Sequence, residues 1–95
     1  MPAPDDFDKE LGQLLAVFGK NARALRERIG ASQEQFALLT GIHRTEVGAI
    51  ERGKREPRLS MLLILAQGLG VDPAELLHGL HAPEHRRAPT HSKAR

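Results

Sequence analysis

The side chains best suited to chemistry in this sequence are cationic, and they gather in and just after the stretch TGIHRTEVGAIERGKREP at residues 40–57. His43, Arg44 and Thr45 open a short segment that follows a Thr-Gly pair. The loop after this segment carries Arg52, Lys54, Arg55 and Arg58. Guanidinium and ammonium groups form charge-assisted hydrogen bonds with anionic oxygens, so these residues predict binding of a polyanion.

The distribution of charge along the chain points the same way. The formal net charge is only +2 over 95 residues, but it is −3 over residues 1–19, +4 over 20–58, −3 over 59–84 and +4 over 85–95. Taken alone, this pattern is better explained by a solvated mixed-charge surface. The prediction therefore depends on the elements that position the cationic residues.

Catalytic and metal-binding arrangements do not stand out in the sequence. There is no cysteine, and we find no pair of carboxylates, nucleophile–base set or phosphate-cradling loop. His78, His81 and His85 lie at i, i+3 and i+7, but Pro83 interrupts the helical geometry that a metal site would need. We expect a protein that is not an enzyme and has no cofactor or metal. Its acidic N-terminus lacks an apolar signal segment and its longest apolar run is short, so we expect it to be cytoplasmic.

Apolar periodicity predicts an all-α fold of five helices. The first is one long helix, because an apolar stripe continues through Gly19 without a phase shift. The stripe consists of Phe7, Leu11, Leu14, Phe18, Ala22, Leu25 and Ile29. Asp5 or Asp6 can cap the start of this helix, and Gly30 can end it.

The second and third helices are short and closely joined. Ser32 and Gln35 form a capping-box pattern, and Gly41 can end the second helix in the left-handed conformation. The side chains expected to face inward from this helix are Phe36, Ala37 and Leu39. The third helix is predicted over about residues 43–52. Its inner face is predicted to hold Val47 and Ile50, and its outer face His43, Arg44, Thr45, Gly48 and Ala49.

The remaining chain predicts two further helices and a tail. Ser60 is expected to cap a fourth helix that carries Leu62, Leu65, Ala66 and Leu69 and ends at Gly70. Asp72 and Pro73 predict the start of a fifth helix, whose apolar side is Leu76, Leu77 and Leu80. We therefore divide the chain into an N-terminal helical arm (1–19), a domain (20–80) and a flexible basic tail (81–95).

The short connection between the second and third helices determines how they cross and how the third helix is presented to a ligand. A turn of about three residues centred on Gly41 leaves no slack for antiparallel packing, so the two helices must cross steeply, with the small Ala37 at their approach. A short helix held in this way, with its N-terminal residues projecting, has the shape that enters the major groove of DNA.

These residues resemble a known family. The stretch SQEQFALLTGIHRTEVGAIERGKREP, followed by GVDPAELL, is similar to the Cro/phage-repressor-type (xenobiotic-response-element-like) helix-turn-helix regulators over residues 20–80. The positions that carry the resemblance are Ala37, Gly41, Val47, Ile50 and the Glu51-Arg52-Gly53 ending. The resemblance implies a lambda-repressor-like DNA-binding domain that acts as a transcriptional regulator, more specifically a repressor.

The resemblance also implies roles for individual residues. It assigns base reading to Arg44, which can take guanine O6 and N7 together but could instead contact a phosphate, and to Thr45. It adds His43 and Ala49 to this set, although Gly48 and Ala49 offer little beyond close approach of the backbone. The implied contacts to the DNA backbone are Gln33, Lys54, Arg55, Arg58, Arg23 and Lys20. For the cations among them the alternative is a solvated basic surface.

Two charged residues are expected to have a structural role instead. The resemblance pairs Arg26 on the first helix with Glu51 at the end of the third, away from DNA. Glu46 departs from the family pattern and is expected to interact with the helix dipole; the alternative is that it accepts a hydrogen bond from cytosine N4.

The expected partner is double-stranded DNA, bound by a homodimer. The dimer contact is expected on the helix at residues 73–80 or on the N-terminal helix, where apolar side chains exceed what a small monomer needs. The alternative function is an antitoxin or other protein-interaction module that binds DNA only secondarily.

Overall fold

The computed structural model describes residues 6–85, and these form helices joined by turns and loops. The helices are α1 (Asp6–Arg28), α2 (Gln33–Thr40), α3 (Arg44–Glu51), α4 (Leu59–Leu69) and α5 (Pro73–Leu76). The all-α, five-helix prediction is confirmed for this part of the chain. In the same residues, no helix has both the length and the apolar character needed to cross a membrane. The predicted cap at Asp5 lies outside the described residues.

The long first helix is continuous, and Gly19 has a packing role within it. A Cβ at Gly19 would lie 2.6 Å from the carbonyl oxygen of Ile50 and still closer to that of Glu51. At Gly53, where φ is +73°, a Cβ would lie 2.9 Å from the Cα of Ala16. Because side chains are missing at both glycines, the backbone of α1 packs directly on the end of α3.

The core is aliphatic, apart from two phenylalanines. Its fully buried side chains are Phe36, Val47, Ile50 and Leu76, and its further members include Phe18, Ala22, Leu25, Leu65, Ala66 and Leu69. Ile42, in the turn between α2 and α3, is also buried, which periodicity did not indicate. Ile29, predicted to lie on the buried stripe, is 43% exposed because it follows the end of α1.

The prediction that Leu39 faces inward is wrong, since this side chain is 63% exposed. The face of α2 that packs on α4 is formed by Phe36 and Thr40: a Cβ at Gly68 would lie 3.2 Å from Phe36 Cε1 and would clash with the Thr40 methyl. The partly buried Ala37 lies beside Phe36 against the core. Leu39 falls outside this stripe.

The helix boundaries follow from their caps. At α2 the predicted capping box is present: the Ser32 hydroxyl accepts from the Gln35 N–H at 3.0 Å, and the Gln35 side chain accepts from the Ser32 N–H at 2.8 Å. Gly41 ends α2 in the left-handed conformation with φ +79°. At α3 the cap is His43, whose Nδ1 accepts from the Thr45 N–H at 3.1 Å.

The start of α4 differs from the prediction, whereas α5 begins as expected. Arg58, not Ser60, occupies the cap position of α4, and it does so with extended backbone and no side-chain capping bond. Asp72 caps α5 by accepting from the Ala74 N–H at 2.8 Å, with Pro73 following it.

The chain after α5 lies along α1. The Asn21 amide donates to the carbonyl oxygens of Leu76 at 2.9 Å and His78 at 2.8 Å. Farther along, the His85 N–H donates to Glu10 Oε1 at 2.9 Å, and this hydrogen bond lowers the pKa of Glu10. The part of the predicted flexible tail at residues 81–85 is thus seated on the N-terminal half of α1, and residues 86–95 lie outside the described residues.

Candidate nucleic-acid interface

The outer face of α3 presents the two residues expected to read bases. Arg44 and Thr45, at the first turn of the helix, are exposed, whereas Val47 and Ile50 are buried at 1% exposure each. Arg44 also lines an open cavity of about 770 Å³ between α2 and α3. The structure therefore directs one turn of polar side chains to solvent while the opposite face of α3 anchors it.

Two members of the expected base-reading set are placed differently. Ala49 is 7% exposed and lies on the buried side of α3, so the prediction that it belongs to the outer face is wrong. The reason is that α3 packs against both α1 and α2, so more than the Val47–Ile50 face of the helix is covered. His43 is exposed, but its Nδ1 caps α3, which leaves the other ring nitrogen as the group that could meet DNA.

Arg26 and Glu51 are brought together, as the resemblance implies. Arg26 Nε donates to Glu51 Oε2 at 2.6 Å and its terminal nitrogen donates to Oε1 at 3.0 Å, which is the bidentate arrangement. The hydrogen bonding of the Arg26 guanidinium to the Glu51 carboxylate raises the pKa of Arg26. A further Arg26 nitrogen donates to the carbonyl oxygen of Ala31 at 2.7 Å. The pair thus joins α1, the start of α2 and the end of α3.

Gln33 belongs to the same hydrogen-bond network. Its amide nitrogen donates to Glu51 Oε1 at 3.0 Å. This contact orients the amide so that its oxygen lies beside Gly48, 3.6 Å from where a Cβ would stand. Gln33 therefore braces α3, and its expected phosphate contact remains a prediction.

The loop after α3 holds exposed cations on an anchored backbone. The Lys54 N–H donates to the carbonyl oxygen of Ala49 at 2.9 Å, and the Lys54 and Arg58 side chains are exposed. Arg55 forms an ion pair with Glu46 of α3 at 3.2 Å. Glu46 thus holds the loop against α3, a role that was not expected from its place in the first helical turn.

The expected contacts on α1 lie on its exposed side. Lys20 is exposed, and Arg23 pairs with Glu27 one turn later at 3.0 Å, with both side chains more than half exposed. Both cations are accessible to a ligand, and their contacts with DNA remain predictions.

Arg52 is the residue that sequence reasoning left out of the candidate site. Its Nη1 lies 3.0 Å from the place a Gly48 Cβ would occupy, so its guanidinium folds back over the outer face of α3. The i, i+4 spacing of Gly48 and Arg52 was the available signal, since helical side chains lean toward the N-terminus.

No group of three or more histidine, aspartate or glutamate side chains within residues 6–85 is arranged to hold a metal ion. The exposed cations described above suit an anionic ligand.

Comparisons with known proteins identify the family. Residues 23–76 match the family described as Helix-turn-helix. Control protein C.SmaI of Serratia marcescens is 39% identical over 77 residues, which cover 81% of this chain and 88% of that protein. The structure of the restriction-modification controller protein C.AhdI from Aeromonas hydrophila superimposes with a TM-score of 0.64 at 45% identity, over 65% of this chain and 94% of that one.

A second structure, that of the hypothetical transcription factor NHTF from Neisseria, superimposes with a TM-score of 0.63 at 35% identity, over 81% of this chain and 79% of its own. The family match at residues 23–76 spans α2, α3, α4 and α5. The chain is therefore a member of the Cro/C1-type helix-turn-helix family of DNA-binding transcriptional regulators.

Proposed function

We propose that the protein is a homodimeric repressor that places α3 of each copy in the major groove of an operator. The observation that carries this proposal is the exposure of Arg44 and Thr45 on a helix whose other side is fixed by Val47, Ile50 and the Arg26–Glu51 pair. A helix held in this way can present its first turn to base edges without rearrangement.

The size of α3 supports a dimer. Its eight residues span about 12 Å, which allows contact with only a few base pairs. Useful affinity then requires two half-sites, whose centres should lie about 34 Å apart for two recognition helices on one face of the duplex. The preferred operator is accordingly an inverted repeat.

The loop cations are proposed to bind the sugar-phosphate backbone beside each half-site. Lys54 and Arg58 are the exposed members, and Arg55 keeps donors beyond the one it shares with Glu46. Because each neutralised phosphate releases counterions, affinity should fall steeply as the salt concentration rises.

The dimer contact is proposed on the exposed apolar side chains of α4 and the residue after α5. These are Leu59, Leu63, Ile64 and Leu77, which are 72%, 50%, 39% and 43% exposed. Leu76, expected in the contact, is fully buried within one copy and is unavailable to a second. The N-terminal half of α1, the other expected contact, is where the chain at residues 79–85 is seated.

The relatives are consistent with a regulatory role. C.SmaI is named a control protein, and C.AhdI a restriction-modification controller protein. We extend from them to this chain only the control of transcription, and we assign repression because a dimer seated across a promoter blocks access to it.

Salt-dependent binding to duplex DNA tests the proposal. Fluorescence anisotropy with operator-containing duplexes should show a linear fall of log affinity with log salt concentration, and Arg44→Ala should weaken the preference for operator over unrelated DNA by about 5-fold or more. Arg28→Ala is the matched control, since Arg28 is an exposed arginine at the end of α1 that pairs with Glu75. Equal losses in the two variants would remove α3 from the recognition surface.

Sedimentation velocity tests the dimer. Leu63→Glu should convert the dimer into a monomer and weaken operator binding. Leu38→Glu is the control for oligomeric state alone, because Leu38 is 86% exposed on α2, outside the proposed contact, but lines the cavity beside Arg44. A monomeric wild-type protein at micromolar concentration would overturn the dimer.

The alternative, a protein-interaction module such as an antitoxin, is favoured by one observation. Leu38 and Leu39 of α2 are 86% and 63% exposed, and Leu38 lines the same cavity as Arg44. Exposed apolar side chains of this kind mark contacts with other proteins. This alternative would be favoured by two results together: the protein does not bind duplex DNA with strong salt dependence, and a partner protein copurifies with it through a contact at Leu38.

A further inference from the structure

Arg44, Gly48 and Arg52 form one stripe along the outer face of α3. They are spaced at i, i+4 and i+8, so they stand above one another on successive turns. The middle position has no side chain, and the guanidinium of Arg52 occupies the space, with Nη1 3.0 Å from where a Cβ of Gly48 would be. The stripe therefore presents two arginines, and the guanidinium of the second folds back over the glycine between them.

Gln33 of α2 places an acceptor beside the same space over Gly48. Gln33 gives its amide nitrogen to the buried Glu51 carboxylate, so its oxygen turns toward the same space, 3.6 Å from the Gly48 Cβ position. An amide oxygen is an acceptor and favours a guanidinium nearby. Gly48 itself is buried beneath these two side chains, while Arg52 is exposed and can reach a ligand.

We infer that Arg52 is a second base-reading residue, which takes the O6 and N7 acceptors of a guanine close to the base read by Arg44. The inference rests on the proposed entry of α3 into the major groove. The planar guanidinium matches this guanine edge with two parallel hydrogen bonds. The guanidinium of Arg52 lies over Gly48, which is one helical turn, or about 6 Å, along α3 from Arg44. This distance corresponds to about two base-pair steps of DNA.

Gly48 is then a positioning residue that determines specificity through Arg52. Adding a methyl group at this position pushes only on the end of a flexible side chain, since no backbone atom outside α3 lies near the site of the Cβ. The Gly48→Ala variant should fold, because alanine favours a helix more than glycine does. It should nevertheless displace the guanidinium from its place over α3.

In-vitro selection of duplexes from random DNA tests the inference, with the full chain and four variants. The wild type should select half-sites with two guanine positions. Arg44→Ala should lose one preference and Arg52→Ala the other, each by about 5- to 100-fold in discrimination. Arg52→Lys should lose the same guanine preference as Arg52→Ala but keep the salt dependence of binding. An ammonium group keeps the positive charge but cannot form the two parallel hydrogen bonds of a guanidinium. Lys54→Ala, the control loop cation, should keep both preferences.

The Gly48 variants separate positioning from folding. Gly48→Ala should weaken the same guanine preference as Arg52→Ala, and it should add nothing when combined with Arg52→Ala. Circular dichroism melting should show Gly48→Ala at least as stable as the wild type, so that lost preference reflects the guanidinium and not the fold.

Two results would overturn the inference while leaving the proposed function standing. In the first, Arg52→Ala weakens binding to all duplexes equally and lowers the salt slope by about 1, as loss of a phosphate contact does. In the second, Gly48→Ala changes a preference that Arg52→Ala leaves intact. A wild-type protein that selects no sequence at all would overturn the proposed function itself.

Discussion

The buried ion pair between Arg26 and Glu51 gives a quantitative test of how α3 is held. Arg26→Met keeps much of the apolar stem but removes the guanidinium, and it leaves the Glu51 carboxylate, 6% exposed, without its cation. Stranding one partner of a buried pair costs about 3–5 kcal/mol. Since a small domain has a net stability of about 5–15 kcal/mol, the variant should lose a large fraction of it. At this chain length Tm should fall by about 15 °C or more.

The assay is thermal and urea denaturation followed by circular dichroism, with Arg23→Met as the matched control. Arg23 lies on the same helix and pairs with Glu27 at 3.0 Å, but the two side chains are 66% and 55% exposed. An exposed pair contributes about 0.2–1 kcal/mol. The double variant Arg26→Met/Glu51→Leu should regain part of the loss, because neither charge remains buried. Recovery should be incomplete, since the hydrogen bond from Arg26 to the Ala31 carbonyl is absent as well.

Equal stabilities for Arg26→Met and Arg23→Met would refute this reasoning, as would a double variant less stable than Arg26→Met alone. In either case the position of α3 would depend on apolar packing rather than on the ion pair.

Three further predictions concern the same scaffold. Gly19→Ala should destabilise the fold by well over 1 kcal/mol in urea denaturation, because its Cβ meets carbonyl oxygens of α3, whereas Gly12→Ala, with open space around it, should stabilise by up to about 1 kcal/mol. Ser32→Ala should cost about 0.5–2 kcal/mol in the same assay through loss of the α2 cap. The pKa of Glu10 is lowered in the fold, so its contact with His85 stabilises the folded state at pH values above the ordinary pKa of 4.5. This stabilisation is lost as the pH falls through the lowered pKa of Glu10. The amide resonance of His85 in NMR spectra should follow this titration, and the transition should disappear in Glu10→Gln.

The sequence was informative wherever a local signal coincided with the tertiary arrangement. The capping box at Ser32 and the left-handed Gly41 fix the ends of α2 through their own neighbours, so they could be predicted. Continuity through Gly19 followed from the phase of the apolar stripe. The close approach of α1 to α3 at this glycine could not be predicted, because the contact joins residues that are far apart in the chain.

Two errors arose where the buried face of a helix was assigned from its apolar side chains alone. Thr40 of α2 contacts α4, and a count of apolar side chains therefore assigned Leu39 to the core in error. Ala49 was placed on the outer face because α3 was treated as packing on one side only. For the candidate site, the spacing within α3 predicted the exposure of Arg44 and Thr45. The i, i+4 spacing placed Arg52 above Gly48, but it could not predict the side-chain rotamer that folds the guanidinium over this glycine.

The shortness of α3 has a consequence for when the protein becomes active. A segment of eight residues forms little helix on its own in water, so α3 exists only while the surrounding helices support it. Affinity for DNA therefore depends on folding of the domain, and a chain emerging from the ribosome acquires it only after the segment around Leu76 has been synthesised. The same coupling runs in reverse, because bound operator must raise the melting temperature of the whole domain.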